Sequence, residues 1–142
     1  MRSLLDVNVL IALLDADHIS HRSALAWFSE HAKGGWASCP ITENGCVRIM
    51  SHPGYPNARA VVEIVDRLRA ATAHEAHKFW PDTQSLLDEQ RIDATRVHGP
   101  RQLTDVYLLA LAVSNGGRLV TFDASLAAGA VKGAKPQHLV RL

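Results

Sequence analysis

Four carboxylates stand where a carboxylate can do chemistry. Asp6 and Asp123 each follow an apolar run, Ser3–Leu5 and Arg118–Phe122, where the chain turns toward a helix. Glu43 and Asp105 each fall in the first turn of a predicted helix. Singly, such acids are ordinary, because Asp caps helices and an acid in the first turn complements the helix dipole. Thr42 and Thr104, however, stand just before Glu43 and Asp105 and are placed to supply those caps. Two carboxylates about 5 Å apart repel by roughly 3 kcal/mol at an effective dielectric of 20. A cluster of four therefore calls for protonation or a cation. Hard oxygen donors select Mg²⁺, with Mn²⁺ as a substitute, and Mg²⁺ binds beside waters and substrate phosphates. That chemistry suits hydrolysis of a phosphodiester by metal-activated water.

Other chemistries find less support. No Ser–His or Cys–His nucleophile arrangement stands out, and the 8 histidines show no HxxxH or HExxH spacing. Cys39 and Cys46 complete no zinc pattern and read as buried thiols in a reducing compartment.

The elements that must position the four acids follow from patterning. Ser3–Leu5 reads as a strand and Val9–Leu14 as a helix capped by Asp or Asn. A helix over Ile19–Ala32 stops at Gly34-Gly35, and Trp36–Cys39 is a second strand. Thr42–Met50 is a helix with Thr42 at its N-cap, and Ser51–Asn57, with two prolines and a glycine, is a loop. Val61, Ile64, Val65 and Leu68 mark an amphipathic helix over Arg59–Ala71 whose other face is solvated. His77–Trp80 is a weak strand, Ser85–Gln90 a short helix and Thr95–Gln102 a loop. Leu103–Ser114 is apolar nearly all round, which predicts a central buried helix ended by Asn115-Gly116-Gly117. Arg118–Phe122 is a strand, Ala124–Ala128 a helical turn and His138–Val140 a final edge strand.

Strands alternating with helices imply an α/β fold, a parallel sheet with helices on both faces, in a single domain of 142 residues. Ligands of such sheets bind at the carboxyl edge of the strands. Asp6 and Asp123 therefore share an edge. Whether Glu43 and Asp105 join them depends on strand order, which spacing does not give.

A net charge of +1 predicts no partner from bulk electrostatics, so any nucleic-acid site depends on local Lys and Arg. Leu4–Leu14 is apolar but is interrupted by Asp6 and Asn8 and is too short to span a bilayer. A cytoplasmic protein without membrane association is expected.

The segments Leu5–Leu10, Thr42–Gly45, Leu103–Ala110 and Leu119–Asp123 resemble the four acidic motifs of PIN-domain nucleases, in order and over nearly the whole chain. The likeness is to VapC-type toxins of toxin–antitoxin pairs, and Arg48–Pro53 and Gly116-Gly117-Arg118 add to it. The resemblance implies a PIN-like three-layer fold with about five parallel strands. It implies an Mg²⁺-dependent endoribonuclease toxin, often a homodimer, with RNA as substrate and a VapB-type antitoxin that covers the site. It makes Asp6, Glu43, Asp105 and Asp123 catalytic, with Asp6, Asp105 and Asp123 as metal ligands. Asn8 and Thr121 would orient the carboxylates from behind. Many relatives place a further polar or acidic residue shortly after the fourth motif, and Ala124-Ser125-Leu126 has no acid there.

Arg48 is the first choice for an RNA phosphate contact, with Arg96 and Arg101 behind it. Trp36 and Trp80 are expected in the core. A catalytically silent binding module acting through its antitoxin is the alternative, against which the intact acid set argues. A phospho-receiver domain is set aside, since only Asp6 follows the first strand and Lys132 and Lys135 lie in a glycine-rich loop.

Overall fold

The computed structural model describes all residues, Met1–Leu142. Its centre is a five-stranded parallel sheet: β1 (Ser3–Leu5), β2 (Trp36–Ser38), β3 (His77–Phe79), β4 (Arg118–Thr121) and β5 (Leu139–Arg141). The strand order is β3-β2-β1-β4-β5, so the chain reverses its direction of growth between β1 and β4. The helices are α1 (Val7–Leu14), α2 (His21–His31), α3 (Pro40–Met50), α4 (Val61–Thr72) and α5 (Leu103–Ser114).

The two faces of the sheet are sorted by strand alternation. Leu4, Ala37 and Leu119 point into a core shared with α5, whose residues Val106–Ala112 are all buried. Leu5, Trp36 and Val120 point the other way, onto apolar residues of α1, α3 and α4. Trp36 and Trp80 are core residues, as expected.

Several boundaries differ from the sequence reading, each for a local reason. α1 starts at Val7, because Asp6 itself is the cap and accepts the Val7 N–H at 2.7 Å. α3 starts at Pro40, with Cys39 at the N-cap and proline pre-set for the first helical position. Thr42 is therefore three residues inside, where its hydroxyl accepts the Cys39 N–H at 3.0 Å. α5 is entered from a 3₁₀ turn at Pro100–Gln102, and Thr104 caps nothing. Ser85–Gln90 is not a helix, since Ser85 and Asp88 bend it into turns by accepting the N–H two residues on, from Leu87 and Gln90. Asp123 likewise takes the Ser125 N–H, so Ala124–Ala128 is an open turn leading to a 3₁₀ turn at Ala128–Ala130. The final strand lies one residue later than expected.

Candidate active site

Asp6 follows β1 and Asp123 follows β4 by two residues. The two acids therefore flank the point where the strand order reverses, the usual ligand crevice of an open parallel sheet. A cleft of about 790 Å³ opens there, lined by Asp6, Asn8, Asn44, Arg48, Arg101, Asp105 and Asp123 among others.

The carboxylates are held by short-range geometry. Asp6 is buried; its Oδ1 takes the Val7 N–H and its Oδ2 takes the Thr121 hydroxyl at 2.8 Å. The same Thr121 Oγ1 accepts the Asp123 N–H at 3.0 Å. One buried hydroxyl thus ties both strand-end acids together, which is the orienting role the resemblance assigns to Thr121. Asp123 Oδ1 also accepts the Ser125 N–H and hydroxyl, both at 2.7 Å. Asp105 reaches the same cleft from the first turn of α5.

Electrostatics follow from this placement. Burial raises the Asp6 carboxyl above its ordinary range, against hydrogen bonds from Thr121 and Val7 that lower it. Burial, a hydrogen bond with Asp123 and the charges of Asp6 and Asp123 all push Asp105 the same way, to about 7. Asp123 moves down, first through its hydrogen bonds from Ser125 and then through its hydrogen bond with Asp105. Three carboxylates converge on one open cleft, which fits a site for a hard cation. No group of three or more His, Cys, Asp or Glu closes into a ready metal cage. Mg²⁺ needs none, since it keeps several waters and takes one or two carboxylates.

Glu43 is placed differently. It lines the adjoining groove between α3 and α4, while its neighbour Asn44 lines the cleft. Its Oε1 accepts the Ser38 hydroxyl at 2.6 Å. Since that hydroxyl is spent on Glu43, His77 Nε2 donates to Ser38 Oγ at 2.8 Å. Asn8 lines the cleft but its amide makes no hydrogen bond to a carboxylate. Arg48 lines both cleft and groove, and Arg101 lines the cleft, whereas Arg96 lies elsewhere.

Sequence reasoning missed three contributors. Asp82 lines the cleft from the segment after β3, a place equivalent to that of Asp6 after β1. Its signal was its position after an apolar strand end, blurred because His77–Phe79 is short and mostly polar. Ser125, two residues beyond Asp123, is the natural donor for an Asx turn. Ser38 is a buried polar residue at the end of β2, recognisable only once β2 and α3 are set side by side.

Comparison with known proteins agrees with this geometry. The PIN domain family model matches residues 3–132. Ribonuclease VapC44 of Mycobacterium tuberculosis is 54% identical over 142 residues, all of both chains. Ribonuclease VapC39 of the same organism is 45% identical over 134 residues, 94% of this chain and 96% of the relative. Among solved structures, Mycobacterium tuberculosis VapC20, a sarcin–ricin-loop-cleaving toxin, superposes with a TM-score of 0.61 at 13% identity, covering 94% of this chain and 99% of that one. VapBC2 from Rickettsia felis, bound to a promoter DNA fragment, gives 0.57 at 12% identity over 87% and 89%. Both have the same fold. With these motifs gathered at the reversal point and full-length likeness to the named ribonucleases, the chain belongs to the PIN-domain family and, within it, to the VapC ribonucleases.

Proposed function

We propose that this protein is a metal-dependent endoribonuclease, the toxin of a type II toxin–antitoxin pair. The observation that carries the reading is Asp105, a carboxyl pushed to about 7 by burial and by two neighbouring acids in an open cleft. Perturbed titratable groups concentrate where proton transfer or ion binding takes place.

In this reading Asp6, Asp105 and Asp123 hold Mg²⁺, for which Mn²⁺ can stand in. The ion would supply an activated water and charge neutralisation at the phosphoryl group. Thr121 fixes the two strand-end carboxylates so that neither turns away when substrate enters. Ser125 keeps Asp123 ionised by donating to it twice. Asp105 is the group of the trio that gains or releases a proton most readily near neutral pH. Arg48 and Arg101 face the cleft and can pair with phosphates flanking the scissile bond. Asn8, on the cleft wall, is free to meet substrate. Glu43 joins the catalytic set by family likeness and stands apart from it in geometry. A VapB-type antitoxin would silence the enzyme by placing an arginine among the acids, doing the cation's electrostatic work. A homodimer is part of the same proposal. The structure has no helix long and apolar enough to cross a membrane.

The test is RNA cleavage by Asp6→Asn and Asp105→Asn, with EDTA and Mg²⁺ add-back on the unmodified protein. Loss of cleavage in folded variants, and metal-restored cleavage in the parent, are expected. Cleavage by the variants at the parent rate, or by pure parent in EDTA, would sink the metal-site reading, and no cleavage by the parent with Mg²⁺ would favour the silent binding module. Sequencing RNA ends after expression in cells identifies the target.

A further inference from the structure

A further groove, about 660 Å³ in volume, lies against β5, apart from the cleft and the Glu43 groove. Four cations line it, Arg96, Lys132, Lys135 and Arg141, and no acid does. The sequence has the same bias: beyond Asp123 the chain has Lys132, Lys135 and Arg141 and no Asp or Glu.

Two of the cations, Lys132 and Arg141, are oriented without being neutralised. Lys132 Nζ donates to the Glu89 carbonyl at 2.7 Å, and Arg141 to the Leu126 carbonyl at 3.3 Å. Neither they nor Lys135 has a carboxylate within ion-pair reach; the three ion pairs of the molecule lie elsewhere or at the groove's edge. At that edge Asp93 sits 3.7 Å from Arg96, while its Oδ1 is taken by Thr95. Backbone carbonyls fix long side chains in place and leave their charge for a ligand. An anion with regularly spaced charges fits this arrangement better than a single small ion.

One end of the groove lies beside the carboxylate site. Arg141 pairs in register with Thr121, the residue that ties Asp6 to Asp123, and its charge lowers the Asp123 carboxyl. Arg141 therefore ends β5 on the same carboxyl edge, with its backbone one strand spacing, about 4.8 Å, from that of Thr121. The groove continues to Lys135, just before the 3₁₀ turn Pro136–His138 that leads into β5, and to Lys132 on the preceding loop.

We propose that this groove binds the sugar–phosphate backbone of the RNA strand leaving the carboxylate cleft. The inference rests on the ribonuclease reading above. Single-stranded nucleic acid is commonly tracked by a basic groove, and the binding is salt-dependent because each neutralised phosphate releases counterions.

The experiment measures affinity for a fluorescein-labelled, mixed-sequence RNA 20-mer by anisotropy, in EDTA, over a series of KCl concentrations. The Lys132→Gln/Lys135→Gln variant is compared with Arg59→Gln/Arg67→Gln, which instead removes one charge just before α4 and one on it, both outside the cleft and the grooves. Thermal melts confirm that both variants fold. For single strands each lost phosphate contact lowers the slope of log K against log [KCl] by about 0.7, so the groove variant should lose about 1.4. The α4 variant should leave the slope unchanged. Equal slopes for groove variant and parent, or equal losses for both variants, overturn the proposal. Unchanged RNA slope with lost binding of a poly-glutamate peptide assigns the groove to an acidic protein segment, which also overturns it. Cleavage of the same RNA by the parent with Mg²⁺ is scored separately. Its failure counts against the ribonuclease reading, while the slopes judge the groove.

Discussion

Asp105 and Glu43 both open a helix beside the strand-order reversal, yet their surroundings are opposite. Asp105 has other carboxylates for neighbours, and burial, Asp123 and Asp6 all raise it, to about 7. Glu43 has a donor, and through Ser38 it is linked to a histidine on the next strand. One acid is held at a cost that a cation would remove; the other is already satisfied. The contrast separates a site built to bind something from one built to hold itself together.

Asp105→Asn is the largest expected break of that contrast. It should lower RNA cleavage by at least about 100-fold, the scale of losing one essential acid–base group. It should also raise the melting temperature of the metal-free protein above about pH 7, because a carboxylate crowded by two others is replaced by a neutral amide. Activity lost and stability gained in one substitution marks a functional site. Stability lost instead would place Asp105 with Glu43, as a structural acid.

Ser38→Ala probes the other side. It removes the only hydroxyl between Glu43 and His77 and leaves both without that partner. Both partners are half-exposed and can recover water, so the cost should be about 1 kcal/mol. If Glu43 serves the reaction from its groove, cleavage should also fall by about tenfold, the lower range for residues that orient a site. Ser38→Thr, which keeps the hydroxyl, should restore it. A melting-temperature loss with no change in kcat would make the Ser38 chain purely structural.

How much of this was legible in the sequence differs between the two regions. Asp6 and Asp123 could be paired from spacing alone, because both follow strands of one parallel sheet. Asp105 came with the helix Leu103–Ser114, whose boundaries were read correctly from an unbroken apolar run. Its place in the cluster needed the order β3-β2-β1-β4-β5, which no local pattern encodes. Glu43 was placed by likeness, and the hydrogen bond that turns it toward Ser38 depends on the β2–α3 junction. There Cys39, a poor helix cap, stands where Thr42 was expected to act, because Pro40 already presets the first helical turn. Asp82 went unnoticed because β3 is too polar to announce a strand end.

The pH dependence of stability gives a smaller, graded test. Between the ordinary Asp value of 3.8 and about 7, the native protein keeps a proton on Asp105 that the unfolded chain has released. Stability of the metal-free protein should therefore fall as pH rises through that window, with Asp6 contributing in the same direction. Asp123 is lowered, so its contribution is lost only on acidification below the ordinary value, outside the window. Melting curves in EDTA from about pH 5 to about pH 8 should slope downward for the parent and flatten for Asp105→Asn. Millimolar Mg²⁺ should restore stability at the high-pH end by binding the ionised trio. A parent and variant with parallel slopes would remove Asp105 from the crowded cluster.

Arg48 offers the finest distinction, because its side chain lines both the carboxylate cleft and the Glu43 groove. If RNA crosses from one to the other, Arg48 sits where the strand passes and contacts one phosphate. Arg48→Gln should then raise KM a few-fold, leave kcat nearly unchanged and lower the salt slope of RNA binding by about 0.7. An unchanged KM would confine the strand to the cleft and the β5 side, and leave the Glu43 groove without substrate. A fall in kcat at constant KM would instead put the guanidinium at the reacting phosphate, acting in the transition state alone. The same arginine therefore reports whether the two acidic regions serve one strand or work apart.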